Sequence, residues 1–106
     1  MAFTYHHGSD RAEALQRELG AAASQLQAFP LDVLDKEACS QLAARIESEF
    51  APLDILINNA GFAQVLPFAM IEEEDWDQVL DINVKGMFLV TKAFVRGMIR
   101  RKRGSI

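Results

Sequence analysis

Apolar residues along this chain fall into short runs of two different periods. Ala2-Phe3-Thr4-Tyr5 is a β-prone run, and Gly8-Ser9-Asp10 breaks it. Asp10 and Glu13 have the spacing of a capping box, and Ala12, Leu15 and Leu19 give the following helix one apolar face, with Gly20 closing it. Gln25 to Phe29 alternates polar and apolar residues as a second strand would, and Pro30 to Asp32 forms a break. Asp35 then stands as N-cap of a helix whose apolar positions Cys39, Leu42, Ala43, Ile46 and Phe50 recur at helical spacing, and Pro52 ends it.

Leu53-Asp54-Ile55-Leu56-Ile57 is mostly apolar and partly β-branched, the pattern of a central strand buried on both faces of a parallel sheet. Asn58-Asn59-Ala60-Gly61 stops that strand, and a looser segment runs to Ile71. Glu72-Glu73-Glu74-Asp75 places four acids at the positive end of a further helix. From Trp76 to about Lys102 the pattern is helical, with a kink expected near Asn83 to Gly86. The order β, α, β, α, β, α, with crossovers long enough to join parallel strands, predicts an α/β fold built as a doubly wound sheet.

Length narrows this to one domain at most, since 106 residues fall below the size of most complete α/β enzymes. The net charge of −4 gives the molecule no electrostatic reason to seek nucleic acid or an anionic membrane. The basic run Arg100-Arg101-Lys102-Arg103 is what a helix dipole favours at a C-terminus. No apolar run approaches the roughly 20 residues needed to span a bilayer, and the opening residues lack a signal-peptide pattern, so a cytoplasmic location is expected. Cys39 is the only cysteine and sits at core spacing, which excludes an intrachain disulfide. His6 and His7 on one strand would point to opposite faces, so no metal site is expected there.

Ligands of an open parallel sheet lie beyond the carboxyl ends of its strands. The segments to weigh are therefore His6-His7-Gly8-Ser9, Leu31-Asp32-Val33 and Asn58-Asn59-Ala60-Gly61. The last offers donors and acceptors on two Asn side chains, while Ala60 and Gly61 leave the backbone open to a flat, polar ligand. On residue chemistry alone, an ordinary strand-ending turn fits the same residues, and Asp32 equally suits a Pro-containing turn.

Leu53 to Gly61 resembles the Asn-Asn-Ala-Gly segment of the short-chain dehydrogenases/reductases, including the members that resemble 3-oxoacyl-acyl-carrier-protein reductases. Asp32-Val33 upstream is similar to the pair that this family sets against the adenine ring. Trp76 to Phe88 resembles the family's long fourth helix with its Asn-Val-x-Gly step, here Asn83-Val84-Lys85-Gly86. The resemblance covers essentially the whole chain, in the family's order. It implies a Rossmann-type domain that binds NAD(P) and moves hydride between nicotinamide and a small-molecule carbonyl or alcohol. By the same resemblance Asp32 accepts from the adenine amino group and the Val33 backbone supports the ring. Asn58, Asn59 and Ala60 lie along the ribose, and Gly61 admits the nicotinamide end. Asn83 matches the helix asparagine that holds a water in the proton relay. A mid-helix Asn competes for backbone hydrogen bonds, so a local distortion would be the physical sign of that role, as against a solvated helix residue. No acid directly follows the first strand, where His6, His7, Ser9 and Arg11 are neutral or basic. That favours NADP over NAD, with Asp10 pulling the other way.

The family's Gly-x-x-x-Gly-x-Gly loop does not occur in this sequence, and neither does its Tyr/Lys pair. Tyr5 is the only tyrosine and has Ser9 at the lysine offset. Ser105 is not the matching serine, which in the family follows the next strand. These departures imply a partial NAD(P)-binding domain over residues 1–106, corresponding to family strands 2 to 4 and truncated at both ends. In a sheet ordered 3-2-1-4-5, the missing first strand would lie between the second and the fourth. Two readings follow: a piece of a hydride-transferring oxidoreductase that is inactive alone, or a non-catalytic interaction or oligomerisation module of the same ancestry. Met87, Phe88, Val90, Phe94, Val95 and Met98 make a stripe wide enough for both sheet and partner, so a homo-oligomer through helix 83–101 is expected.

Overall fold

A computed structural model of the chain describes residues 1–19 and 26–106. The calls on Gly20 as helix stop and on Gln25 as strand start lie outside the described residues. The chain forms two compact units, Met1–Asp32 and Val33–Ile106.

The first unit is a β-α-β arrangement: β1 (Ala2–Tyr5), α1 (Ser9–Glu18) and β2 (Gln27–Pro30), with β1 and β2 parallel and Ala2 opposite Gln27. The ladder runs through Tyr5 opposite Pro30, and the Leu31 amide donates to the Tyr5 carbonyl at 2.8 Å. Pro30 is thus the strand's last residue and not part of a break after it. Its missing N–H costs nothing on the side of β2 that has no partner in this two-stranded sheet. The start of α1 differs from the capping-box expectation. Gly8 is the N-cap, in a left-handed conformation (φ 87°), and Asp10 lies inside the first turn, where its charge meets the positive helix end. Ala12 is the one buried residue of α1, with Leu15 and Leu19 partly exposed, while among the described residues Leu26, Phe29 and Leu31 supply the rest of this unit's core.

In the second unit, α2 (Lys36–Glu49) starts where the sequence predicts: the Asp35 carboxylate accepts from the Ala38 amide at 2.9 Å. Its apolar face, Cys39, Leu42, Ala43 and Ile46, is buried against Val90, Phe94 and Met98 of α4 (Met87–Arg101). Each large side chain so buried contributes about 1.5–3 kcal/mol. Phe50 falls at the C-cap of α2 and is exposed, so it does not extend that face. Cys39 is fully buried, as its spacing predicts. Ahead of α4 come a short 3-10 turn at Phe68–Met70, α3 (Glu73–Leu80), and a π turn at Asp81–Gly86. The helical region therefore opens three residues before Trp76, and its expected kink is a widened π turn that includes Asn83. Among the described residues, no helix is long and apolar enough to cross a membrane.

The expected central strand is not formed. Leu53–Ile57 makes a single parallel bridge, Ile55 with Ser105, held by Leu56 N–H to the Ser105 carbonyl and Ser105 N–H to the Asp54 carbonyl, both 2.9 Å. Ile55 and Ile57 are 64% and 79% exposed. A strand buried on both faces needs a continuous neighbour and a layer on each side. Within this unit the segment has one paired residue and one helical tether, Arg101 Nη2 donating to the Leu53 carbonyl at 2.6 Å.

Candidate functional site

The parallel pairing of β1 and β2 brings their carboxyl ends to one edge, and with them two of the expected site residues. His6 Nε2 lies 3.9 Å from Asp32 Oδ2, both side chains about half exposed. His6 and His7 fall just beyond β1, so strand alternation does not separate them: their rings are 4.0 Å apart and tilted by 33°. This corrects the expectation that they face opposite ways. Among the described residues no cluster of three or more metal-ligating side chains occurs.

The other expected residues belong to the second unit. Val33 is fixed from two directions. The Cys39 thiol donates to its carbonyl at 3.7 Å, and its side chain packs against Gly86 of the π turn, where an added Cβ would lie 2.6 Å from Val33 Cγ2. Only glycine allows that approach. Asn58, at the end of the extended segment, donates from Nδ2 to Thr91 Oγ1 of α4 at 3.0 Å, while Asn59, Ala60 and Gly61 are exposed.

Asn83 is neither solvated nor free. Its Oδ1 accepts from the Phe62 amide at 2.9 Å, and its Nδ2 donates to the Phe62 carbonyl at 2.7 Å. An Asn amide, with one carbonyl acceptor and one NH2 donor, can satisfy both backbone groups of one residue at once. The π turn supplies the room, since a widened turn is a common device for re-aiming a helical side chain. Gly61 sits against the same amide: an added Cβ would lie 3.2 Å from Asn83 Oδ1. A second brace holds the same loop further along, where Gln64 Nε2 donates to Asp75 Oδ1 at 2.7 Å. Asp75 also accepts from the Glu72 amide through Oδ2 at 3.1 Å, closing the first turn of α3.

The structure thus brings Gly61 and Asn83 together, and His6 and Asp32 together. Sequence reading missed Phe62, Gln64, Asp75 and Thr91 as partners. Their bonds join residues 11 to 33 positions apart, and no local spacing announces them.

Small, exposed Ala60 and Gly61, backed by Asn83 with its two hydrogen bonds to Phe62, form a backbone rim onto which a flat polar ligand can be laid. A side chain at 61 would press on the Asn83 amide, its Cβ 3.2 Å from Oδ1. Two amide side chains and an exposed Ala-Gly backbone stand there within one unit. The family model for short chain dehydrogenases matches residues 2–106, and this chain belongs to that family. It is similar to 5-keto-D-gluconate 5-reductase of Escherichia coli strain K12, 34% identical over 98 residues, which are 92% of this chain and 39% of that protein. It is also similar to 3-oxoacyl-[acyl-carrier-protein] reductase FabG of Thermotoga maritima, 30% identical over 97 residues, again 92% of this chain and 39% of the relative. Among solved structures, a gluconate 5-dehydrogenase from Burkholderia cenocepacia in complex with NADP and tartrate matches with a TM-score of 0.82 at 26% identity, over 97% of this chain and 40% of the other. The fold is thus part of the Rossmann-type architecture of this family, and the chain spans about two fifths of the length of these relatives.

Proposed function

We propose that this chain is the middle part of a larger NAD(P)-binding domain, and that it supplies the adenine, ribose and nicotinamide-side contacts of an oxidoreductase acting on a carbonyl or alcohol. When bound, the cofactor supplies the hydride acceptor or donor. The chain's own residues bind and orient it. Asp32 and the Val33 backbone take the adenine, and Asn58, Asn59 and Ala60 follow the ribose. Gly61 leaves space for the nicotinamide end, and Asn83 serves the proton relay from its π turn. The observation that carries this reading is the pair of hydrogen bonds between Asn83 and Phe62, which fixes Gly61 beside a distorted helix turn. Because Asn58 Nδ2 is engaged by Thr91, its ribose contact falls to the remaining amide atoms and the backbone.

NADP is the proposed cofactor, since Arg11 offers a cation and His6 a ring N–H near the end of β1, and the solved gluconate 5-dehydrogenase holds NADP. The acid nearest that strand end across the ladder, Asp32, already faces His6. Titrating the isotopically labelled chain with millimolar NADP should shift the NMR signals of Asp32, Val33 and Asn59 to Gly61. Saturable shifts confined to other residues would contradict the assignment.

A homo-oligomer through helix 83–101 is also proposed, on altered residues. Val90, Phe94 and Met98 face the core, whereas Val84, Met87, Phe88 and Ile99 remain exposed and are the ones available to a partner.

A further inference from the structure

An open cleft of about 490 Å³ runs between α2 and α4, and its lining includes Lys36, Lys92, Arg96 and Arg100 together with Glu47 and Gly97. That volume lies in the range of small-ligand sites, roughly 300–1,000 Å³. Four cations and one acid line it, in a chain whose net charge is −4. Lys92, Arg96 and Arg100 recur at every fourth position of α4, a row of like charges on one helix face about 12 Å long at 1.5 Å per residue. Such neighbours repel one another. The protein itself answers only part of that charge. Glu47 Oε2 lies 3.6 Å from Arg100 Nη2, seated where Gly97 lacks a side chain, and the Lys92 ammonium rests 5.3 Å from the centre of the Phe88 ring. Among the described residues, Lys36 and Arg96 have no ion-pair or side-chain hydrogen-bond partner.

We infer that this cleft is an anion site for a small ligand bearing several linked phosphates. Lys92 and Arg96, about 6 Å apart along α4, together with Lys36 of α2 match linked charges better than a single one, and the guanidinium fork of Arg96 favours phosphate geometry. Glu47 repels an anion from the Arg100 end, so the phosphates seat against Lys36, Lys92 and Arg96. None of these residues is among those assigned to the nicotinamide cofactor, so this site stands or falls separately from that proposal.

The test is calorimetric titration of the chain with inorganic tripolyphosphate and with inorganic phosphate at low salt. Tripolyphosphate should bind more tightly than phosphate, with affinity falling as salt rises. Arg96→Glu should weaken it by about tenfold or more, the equivalent of one lost charged hydrogen bond. Glu47→Gln should tighten it by freeing Arg100, a gain that loss of folding cannot produce. Absence of saturable tripolyphosphate binding, unchanged affinity in Arg96→Glu at unchanged circular dichroism, or weaker binding in Glu47→Gln overturns the inference.

Discussion

Two residues decide the local geometry around the proposed site. Asn83 satisfies the N–H and C=O of Phe62 together, and both groups are partly buried. Leucine would leave two polar backbone groups unpaired, at about 1–3 kcal/mol each, against which its better helix propensity of a few tenths of a kcal/mol is small. Asn83→Leu should therefore lower stability to urea and speed hydrogen exchange at the Phe62 amide. Unchanged exchange at Phe62 would show that the bond does not form in solution. Gly86 is the second such position. Alanine is favoured over glycine in a helix by about 1 kcal/mol, but its Cβ would press on Val33 Cγ2 at 2.6 Å. Overpacking of this kind costs about 1–3 kcal/mol. Gly86→Ala is expected to be destabilising on balance, and a raised urea midpoint would refute the contact.

At the scale of elements, what was legible in the sequence is what depends on neighbours in sequence. The Asp35 cap and the burial of Cys39, Leu42, Ala43 and Ile46 follow from spacing alone, and the structure shows them as read. Asp35→Ala should cost about 1 kcal/mol of helix stability, measured as a lower thermal midpoint by circular dichroism. The distortion at Asn83 was legible too, because a polar amide in mid-helix competes with the backbone. Its partner was not, since Phe62 stands 21 residues away. The segment Leu53–Ile57 reads as a buried strand because its composition suits one, yet pairing is a property of neighbours, and among the described residues its one bridge is to Ser105. Likewise, the α4 stripe reads as one surface, whereas packing against α2 claims Val90, Phe94 and Met98, leaves Met87 and Phe88 outside, and adds Ile99, which the stripe did not include, to the exposed face. Charge at Phe88 and Ile99 should reduce the mass of the proposed oligomer in light scattering. Unchanged mass in Phe88→Asp and Ile99→Glu alike would remove helix 83–101 as the interface.

At the scale of the whole molecule, membership of the short chain dehydrogenase family rests on a match over residues 2–106, while the chain covers about 39% of relatives such as 5-keto-D-gluconate 5-reductase. The glycine-rich loop and the Tyr/Lys pair of the family pattern do not occur in this sequence. The purified chain should accordingly show no NADPH oxidation above background with a panel of ketones, and measurable turnover would contradict the division of labour proposed here. The central claim, that residues 2–106 form the adenine-to-nicotinamide part of a hydride-transfer site, is tested most directly by transplanting them. In 5-keto-D-gluconate 5-reductase of Escherichia coli, the matching stretch would be replaced by this one and the steady-state reduction rate measured, with folding checked by circular dichroism. The account predicts a folded chimaera that turns over NADPH, and a loss in kcat on the order of 10²-fold in its Asn83→Leu form. A folded chimaera without turnover, or one indifferent to Asn83→Leu, would contradict it.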